Sequence, residues 1–157
     1  MHASDIQSKF PVVGRETSAV EAARLIAKDG RPGLVIADKE GKPVAVVSAV
    51  DVLGLLVPPY VLDDMSLAGV FDENAAEEMW NHASEHTIGE LLDNDRVRIY
   101  DLLTVDADAT ILEVAAQMAD ARTQVALVAS EGEARFVTLP AVMDAILRFC
   151  TPESKKA

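Results

Sequence analysis

The sequence has little cysteine and few aromatic residues. Its one cysteine, Cys150, cannot form a disulfide within the chain, and nothing indicates an oxidising compartment. Aromatic residues make up 4% of the chain and hydrophobic residues 50%, so a core must be built mainly from Ala, Val, Leu and Ile. A chain of 157 residues is long enough to bury such a core without metals or disulfides. These features predict an ordinary globular protein.

Basic residues and long apolar runs are also scarce. The 14 Lys and Arg residues stand against 26 Asp and Glu residues, and the formal net charge of −12 argues against nucleic acid and anionic membrane surfaces as partners. No apolar run approaches the ~20 residues that a membrane span needs, and residues 1–5 are too polar for a signal peptide. We therefore expect a cytoplasmic protein without membrane insertion.

The chain repeats one pattern of segments twice. Ser18 and Thr110 are each followed three positions later by Glu, the capping-box spacing that begins a helix. A short extended segment precedes each predicted helix, and an apolar run of strand length follows it, at 34–37 and 125–128. A polar turn containing Gly then leads to a second strand and a closing helix. The order strand, helix, strand, strand, helix therefore occurs twice, which predicts an α+β fold.

The two repeats resemble CBS motifs, and together they resemble a Bateman-type regulatory module. The first repeat carries the family pattern at Ser18, Glu21, Ala22, Asp38, Gly41, Ser48 and Asp51, and the second matches it up to Thr138. The resemblance implies two motifs related by a pseudo-two-fold axis, and a homodimer formed through helices. It places motif 1 at residues 1–57, a helical insert at 58–86, motif 2 at 87–150 and a flexible tail at 151–157.

Other features of the chain agree with this layout. Residues 87–92 resemble the short lead-in helix of a CBS motif, and the stretch around Ser4 and Ile6 would serve the first repeat in the same way. A helix is predicted over 73–83, where we interpret Trp80 as a packing residue rather than part of a partner surface. The closing helix of the second repeat carries apolar side chains beyond those that one internal interface needs, which favours a homodimer: Val142, Met143, Ile146 and Phe149.

The predicted ligand site lies at the end of the first repeat. In the family that this chain resembles, the residue at Ser48 contacts a ligand phosphate, and the carboxylate at Asp51 accepts hydrogen bonds from ribose hydroxyls. The adenine would lie against Val12, Val13 and Leu34, with charge from Arg31 or Arg15. A second interpretation stays open, because Ser-x-x-Asp is also a capping box that would serve helix initiation alone.

The second repeat predicts a vestigial site. Thr138 keeps the hydroxyl, but Ala141 stands where the first repeat has Asp51 and cannot bind ribose. Arg135 replaces a small residue, Ala45 in the first repeat. It would block the pocket, serve the phosphate of a neighbouring ligand, or be an exposed arginine beside a turn, the interpretation that we favour. We expect at most one competent site per chain.

The residues indicate no metal site and no catalytic machinery. Glu78, His82 and His86 are spaced four apart and would share a helix face, which we interpret as a solvated polar face. Neither a Gly-rich phosphate loop nor a nucleophile elbow occurs. The sequence therefore predicts a non-enzymatic regulatory module that needs no cofactor, senses AMP, ATP or S-adenosylmethionine, and acts on an unidentified effector protein in trans. The alternative is a ligand-free dimeric interaction module that regulates a transporter or an enzyme.

Overall fold

The computed structural model describes residues 1–94 and 99–150, and the predicted tail at 151–157 lies outside the described residues. The helices are α1 (Ala3–Ile6), α2 (Ala19–Asp29), α3 (Ala49–Leu56), α4 (Pro59–Asp63), α5 (Glu73–Asn81), α6 (Ile88–Leu92), α7 (Ile111–Ala121) and α8 (Leu139–Cys150). The strands are β1 (Val12–Val13), β2 (Gly33–Ala37), β3 (Pro43–Ser48), β4 (Tyr100–Asp101), β5 (Leu103–Asp106), β6 (Val125–Ala129) and β7 (Arg135–Thr138). Among the described residues, no helix combines the length and hydropathy that crossing a bilayer requires.

The chain divides into two compact units, and neither is continuous in sequence. One unit, which we call the first-repeat unit, comprises Pro11–Asp101. The other, the second-repeat unit, comprises Met1–Phe10 together with the chain from Leu102 onward. These units are defined by contacts in space, whereas the boundaries predicted above divide the sequence into repeats. Those predicted boundaries therefore stay a prediction.

Both units contain the predicted order of strands and helices. In the first-repeat unit, β1 runs parallel to β2, β2 pairs antiparallel with β3, and β4 adds a fourth strand at the edge. In the second-repeat unit, β5 runs parallel to β6, and β6 pairs antiparallel with β7. Gly33 pairs with Ser48 in one hairpin as Val125 pairs with Thr138 in the other, so the same register occurs twice. The sequence did not predict β4.

The first long helix of each repeat begins where the capping pattern predicts. The Ser18 hydroxyl accepts a hydrogen bond from the Glu21 N–H at 3.1 Å, and the Thr110 hydroxyl accepts one from the Glu113 N–H at 3.2 Å. Each bond satisfies an N–H group that has no partner within the first turn of its helix. At the far end, Gly30 ends α2 with φ +61°, a left-handed conformation that glycine adopts without strain.

The short lead-in helices are exchanged between the two units, a packing that the sequence did not predict. Helix α1 belongs to the second-repeat unit, where the Ala3 N–H donates to the Ala109 carbonyl at 2.9 Å. Helix α6 belongs to the first-repeat unit, where the Ile88 N–H donates to the Thr17 carbonyl at 2.9 Å. Each lead-in helix thus packs on the repeat that it does not precede.

Each unit has its own hydrophobic core, in which the lead-in helix covers the sheet and the two long helices. The core of the first-repeat unit consists of Val13, Ala22, Leu34, Ile36, Val47, Val52, Ile88 and Leu91. The core of the second-repeat unit consists of Ala3, Val105, Ala109, Ile111, Val114, Met118, Ala126, Val128, Val137, Val142 and Ala145. Val142, predicted to be part of an apolar surface, is therefore a core residue with 3% of its surface exposed.

The insert between the repeats is helical, as predicted, but it buries few of its side chains. It contains α4, α5 and two short 3-10 helices, at Met65–Gly69 and Ala83–Glu85. Trp80 on α5 is 51% exposed, so its interpretation as a packing residue is wrong. Helix α5 ends at Asn81, two residues before the predicted end, with His82 as its C-cap.

Candidate functional site

The start of α3 brings Ser48 and Asp51 into direct contact. Ser48 is the last residue of β3 and the N-cap of α3, and its hydroxyl accepts a hydrogen bond from the Asp51 N–H at 3.2 Å. The same hydroxyl donates to Asp51 Oδ2 at 2.8 Å. Both side chains are half-buried. A carboxylate has about four lone-pair positions, so one serine hydroxyl leaves acceptor capacity at Asp51 for ribose hydroxyls.

A close backbone approach fixes the position of this helix start. The Ala49 N–H donates to the Pro32 carbonyl at 2.8 Å, and Gly33 lies opposite Ser48 in the β2–β3 hairpin. A Cβ atom at position 33 would overlap the Val47 carbonyl oxygen, so the approach requires glycine. Because Ala49 and Asp51 already use their N–H groups, fewer backbone donors at this helix start are available to a phosphate.

Arg31 is the predicted cation nearest to this helix start along the chain, directly before Pro32. Its guanidinium lies 3.4 Å from the Asp29 carboxylate, and 24% of its side chain is exposed. Arg15, the alternative cation, instead donates to Asp93 at 2.8 Å. The positive charge of Arg15 is therefore directed to the carboxylate that follows α6.

The predicted adenine contacts divide between the core and the surface. Leu34 has no exposed surface and Val13 has 5%, and both belong to the core beneath α2 and α3. Val12 is 39% exposed, because successive residues of a strand point to opposite faces of the sheet. Val12 is therefore the predicted apolar contact that has surface to offer a ligand, whereas Leu34 and Val13 hold the sheet in place.

A cavity lies beside Asp51, among α3, α4 and α6. Its volume of about 300 Å³ is at the small end of the usual range for ligand pockets. Its wall combines apolar side chains with Asp51 and with a pair formed by His86 and Glu90, whose Nδ1 and Oε2 atoms are 2.8 Å apart. Of the predicted site residues, Asp51 alone lines it. The other lining residues are Val50, Gly54, Leu55, Val57, Pro59, Leu62, Leu91 and Asn94.

Sequence reasoning did not identify this cavity because two of its walls come from segments outside the first repeat. Glu90 and Leu91 belong to α6, and Leu62 belongs to α4 of the insert. The resemblance of residues 87–92 to a lead-in helix was the available signal. It would have indicated the cavity only with the knowledge that α6 packs on the first repeat.

The corresponding place in the second-repeat unit has a different chemistry. Thr138 ends β7 and precedes α8, and the Leu139 N–H donates to the Gln124 carbonyl at 2.9 Å, much as Ala49 donates to Pro32. Arg135 lies 3.6 Å from Glu133 with 37% of its side chain exposed, and its role at this place stays a prediction.

The two histidines of the insert, His82 and His86, form separate pairs with nearby carboxylates. His82 Nδ1 lies 3.2 Å from Glu85 Oε1, whereas His86 pairs with Glu90. Because α5 ends at Asn81, the helix that would have placed Glu78, His82 and His86 on one face does not extend that far. Within residues 1–94 and 99–150, no three His, Cys, Asp or Glu side chains converge in a way that could hold a metal ion.

Comparisons with known proteins cover nearly the whole chain. The family model described as "CBS domain" matches residues 3–58. The crystal structure of a CBS domain-containing protein of unknown function from Kribbella flavida DSM 17836 is 35% identical in sequence, with a TM-score of 0.77. That match covers 93% of this chain and 99% of the Kribbella chain, so both repeats are included. No curated protein matches the chain.

Two more distant structures share the fold. The crystal structure of CBSX2 in complex with AMP, a protein of Arabidopsis thaliana, is 19% identical with a TM-score of 0.61, over 96% of this chain and 98% of CBSX2. The CBS domain of a bacterial CNNM/CorC family Mg²⁺ transporter in complex with ATP is 13% identical with a TM-score of 0.59, over 94% of this chain and 87% of that one.

Proposed function

We propose that this chain, which belongs to the CBS-domain protein family, is a regulatory module that binds an adenosyl ligand at the start of α3. The family match confirms the resemblance to CBS motifs that the sequence indicated. The observed fold confirms the predicted α+β class. Proteins of this family are in general regulatory modules. The finer statements, that the ligand is AMP, ATP or S-adenosylmethionine and that the module acts on an effector protein in trans without catalysis, are our proposal.

The observation that carries the proposal is the contact between Ser48 and Asp51. A carboxylate held by a serine at a helix start is positioned to accept hydrogen bonds from two vicinal ribose hydroxyls at once. Arg31 is the cation that would approach a phosphate, and Val12 supplies apolar surface. CBSX2 with AMP and the transporter domain with ATP support an adenosine nucleotide as the ligand class.

The same contact favours a second candidate function, a ligand-free interaction module. The hydroxyl of Ser48 accepts from the Asp51 N–H and donates to its carboxylate, so the pair is satisfied without a ligand. Helix initiation alone would explain this arrangement. The two functions differ in whether Asp51 forms further hydrogen bonds when nucleotide is added.

Thermal unfolding with and without nucleotide distinguishes the two candidates. At ~100 times its dissociation constant a ligand adds ~2.7 kcal/mol to the free energy of unfolding. For a domain of this size, that corresponds to a rise in Tm of about 5 to 10 °C. We expect this rise with AMP, ADP, ATP or S-adenosylmethionine at millimolar concentration. No rise with any of the four would leave the ligand-free module as the function.

A matched pair of variants assigns the rise to Asp51. Asp51→Ala should abolish it and lower the free energy of unfolding of the ligand-free protein by no more than a lost cap does, ~1 to 2 kcal/mol. Glu113→Ala is the control, because Glu113 holds the same helix position in α7 and also contacts its capping residue, Thr110. It should keep the full rise. An equal loss of the rise in both variants would contradict the assignment.

We also propose that the module is a homodimer formed through α8. This helix keeps a row of apolar side chains exposed: Met143 at 53%, Ile146 at 37%, Leu147 at 57% and Phe149 at 73%. Its Asp144 and Arg148 neutralise each other at 2.9 Å, so like charges would not oppose self-association. Light scattering coupled to size exclusion should give twice the chain mass at ~50 μM and a monomer for Met143→Glu, because an exposed apolar patch of this kind favours association. A monomeric wild-type protein would contradict the proposal.

A further inference from the structure

The insert at residues 58–86 carries charge of one sign. It contains seven acidic residues and neither Lys nor Arg, so it contributes more than half of the net charge of −12. One of these carboxylates, on Glu85, is paired with His82. The acidic residues are Asp63, Asp64, Asp72, Glu73, Glu77, Glu78 and Glu85.

The same insert exposes large apolar side chains among those charges. Among its described residues, Val61 and Ala83 are the buried hydrophobic ones. The large hydrophobic residues that stay exposed are Tyr60 at 52%, Leu62 at 49%, Met65 at 68%, Val70 at 75% and Trp80 at 51%. We call these five residues, together with the seven acidic residues, the insert surface. A large aromatic and aliphatic set outside the core is typical of a binding surface.

Local contacts hold the insert surface in a defined shape. The rings of Tyr60 and Phe71 meet with centroids 6.5 Å apart, which ties α4 to the residues that lead into α5. The Asp64 carboxylate accepts from the Ser66 N–H at 3.1 Å and caps a 3-10 helix, and the Asp72 carboxylate caps α5. A surface that is already ordered loses less conformational entropy on binding than a flexible segment does.

Charge decides which partner fits this surface. A second copy of the chain would bring seven further acidic residues against the first seven, in contrast to α8, whose charges cancel. Nucleic acids and anionic membranes would be repelled in the same way. A segment with Lys or Arg on one side and apolar residues on the other would match both the negative charge of this surface and its exposed apolar side chains.

We propose that the insert surface docks a cationic amphipathic helix of the protein that this module regulates. This inference rests on the proposed function, because the partner is the effector protein that the module reaches in trans. It adds the chemistry of the segment by which that effector binds. It also assigns a role to Trp80, which lies on α5 one helical turn from Glu77 and Ala76. Bound against an apolar helix face, the exposed indole would lose its contact with water.

The sole tryptophan of the chain makes the test direct. The 157-residue chain is titrated with an 18-residue synthetic helix of Lys and Leu in amphipathic order, and Trp80 emission is followed. We expect a saturable blue shift that weakens as salt rises, because screening reduces the attraction between exposed charges. A peptide of the same composition in scrambled order should bind at least about tenfold more weakly, which corresponds to a difference of about 1.4 kcal/mol. Equal binding of both peptides would overturn the proposal.

Matched variants distinguish peptide binding at the insert surface from a general effect of the net charge of the protein. Glu77→Lys with Glu78→Lys should weaken peptide binding about tenfold, because two carboxylates that attract the cationic peptide become two ammonium groups that repel it. Asp120→Lys with Glu131→Lys changes the net charge equally at exposed residues of the second-repeat unit and should leave binding unchanged. Met65→Ser should weaken binding, whereas Leu112→Ser, at a residue 79% exposed on α7, should not. Equal losses in the insert variants and their controls would overturn the proposal.

Two further measurements test whether a second copy of the chain binds the insert surface, and they distinguish failure of the docking proposal from failure of the ligand proposal. If Glu77→Lys with Glu78→Lys changed the mass measured by light scattering, the insert surface would be an interface between copies and the docking proposal would be wrong. The rise in Tm with AMP should persist in that variant. Specific peptide binding without any AMP response would reject the ligand proposal alone, and an AMP response without specific peptide binding would reject the docking proposal alone.

Discussion

The two repeats have the same topology and register but differ where the last strand meets the last helix. In the first-repeat unit, Ser48 and Asp51 hold each other at the start of α3. In the second-repeat unit, Thr138 and Ala141 occupy those positions, and no carboxylate is present. The strands and helices do not need Asp51, because the second repeat forms them with Ala141. Under our proposal, this difference concerns ligand chemistry, whereas under the ligand-free alternative it is only a different helix start.

A second difference lies beneath the sheet. Leu34 and Ala126 occupy equivalent places, since Leu34 pairs with Val47 as Ala126 pairs with Val137, and both are fully buried. The extra volume of Leu34 is taken up in a core whose other members differ as well, with Ala22 in the place of Val114. Each core is thus filled by its own combination of large and small residues.

The largest expected effect concerns the carboxylate that distinguishes the repeats. Asp51→Ala should weaken adenosine binding at least ~100-fold, because two charge-assisted hydrogen bonds of ~1.5 to 3 kcal/mol each are lost. Adenosine is the sharpest probe, because without a phosphate it gains nothing from Arg135. Titration calorimetry should give a stoichiometry of about one per chain or less.

The reverse exchange tests whether the second site can be restored. Ala141→Asp combined with Arg135→Gly should raise the stoichiometry above that of the wild-type chain. Two equivalent sites in the wild-type protein would show that the second repeat is not vestigial.

The next effect concerns the core of the first repeat. Leu34→Ala should lower the free energy of unfolding by ~2 to 5 kcal/mol, because the buried side chain leaves a cavity. Urea unfolding measures the loss, and Leu112→Ala, at an exposed residue, should change stability by less than ~0.5 kcal/mol. A loss below ~1 kcal/mol at Leu34 would mean that this core can relax until it resembles that of the second repeat.

Most of the fold could be predicted from the sequence because its signals are local. The caps at Ser18 and Thr110 and the spacing of apolar residues determine where α2 and α7 begin, and the polar turns determine the hairpins. The exchange of α1 and α6 could not be predicted, because the sequence of so short a helix does not indicate which of two cores it covers. Which core each of them covers depends on contacts between residues far apart in sequence.

The candidate site was predictable in part for the same reason. Ser48 and Asp51 are three residues apart on one helix start, so their contact follows from local geometry. The burial of Leu34 and the cavity beside Glu90 depend on which face of β2 the helices cover and on the position of α6. Trp80 was misjudged because a helical stripe of apolar residues does not reveal whether another element covers it.

A smaller effect is expected at the close approach that positions Ser48. Gly33→Ala places a Cβ against the Val47 carbonyl, and shifts of this kind cost ~1 to 3 kcal/mol. The control is Gly132→Ala in the turn of the second repeat, where an added Cβ would meet nothing within 4 Å. Thermal unfolding should show a lower midpoint for Gly33→Ala and almost no change for the control. Equal effects would mean that β3 shifts to accommodate the methyl group without strain.

The smallest effect is the loss of stability when a helix cap is removed, and we predict the same loss in both repeats. It tests a feature that the two repeats share. Ser18→Ala and Thr110→Ala each remove a cap hydroxyl that accepts one N–H hydrogen bond of nearly equal length. Each should lower the free energy of unfolding by ~1 kcal/mol, within the ~0.5 to 2 kcal/mol found for lost caps. The two losses should agree within ~0.5 kcal/mol, and adenosine binding should not change, because neither hydroxyl lies at the start of α3. If Ser18→Ala weakened adenosine binding as strongly as Asp51→Ala, the helix starts of the first repeat would act together. The difference between the repeats would then lie in the stability of the whole first-repeat unit rather than in one carboxylate.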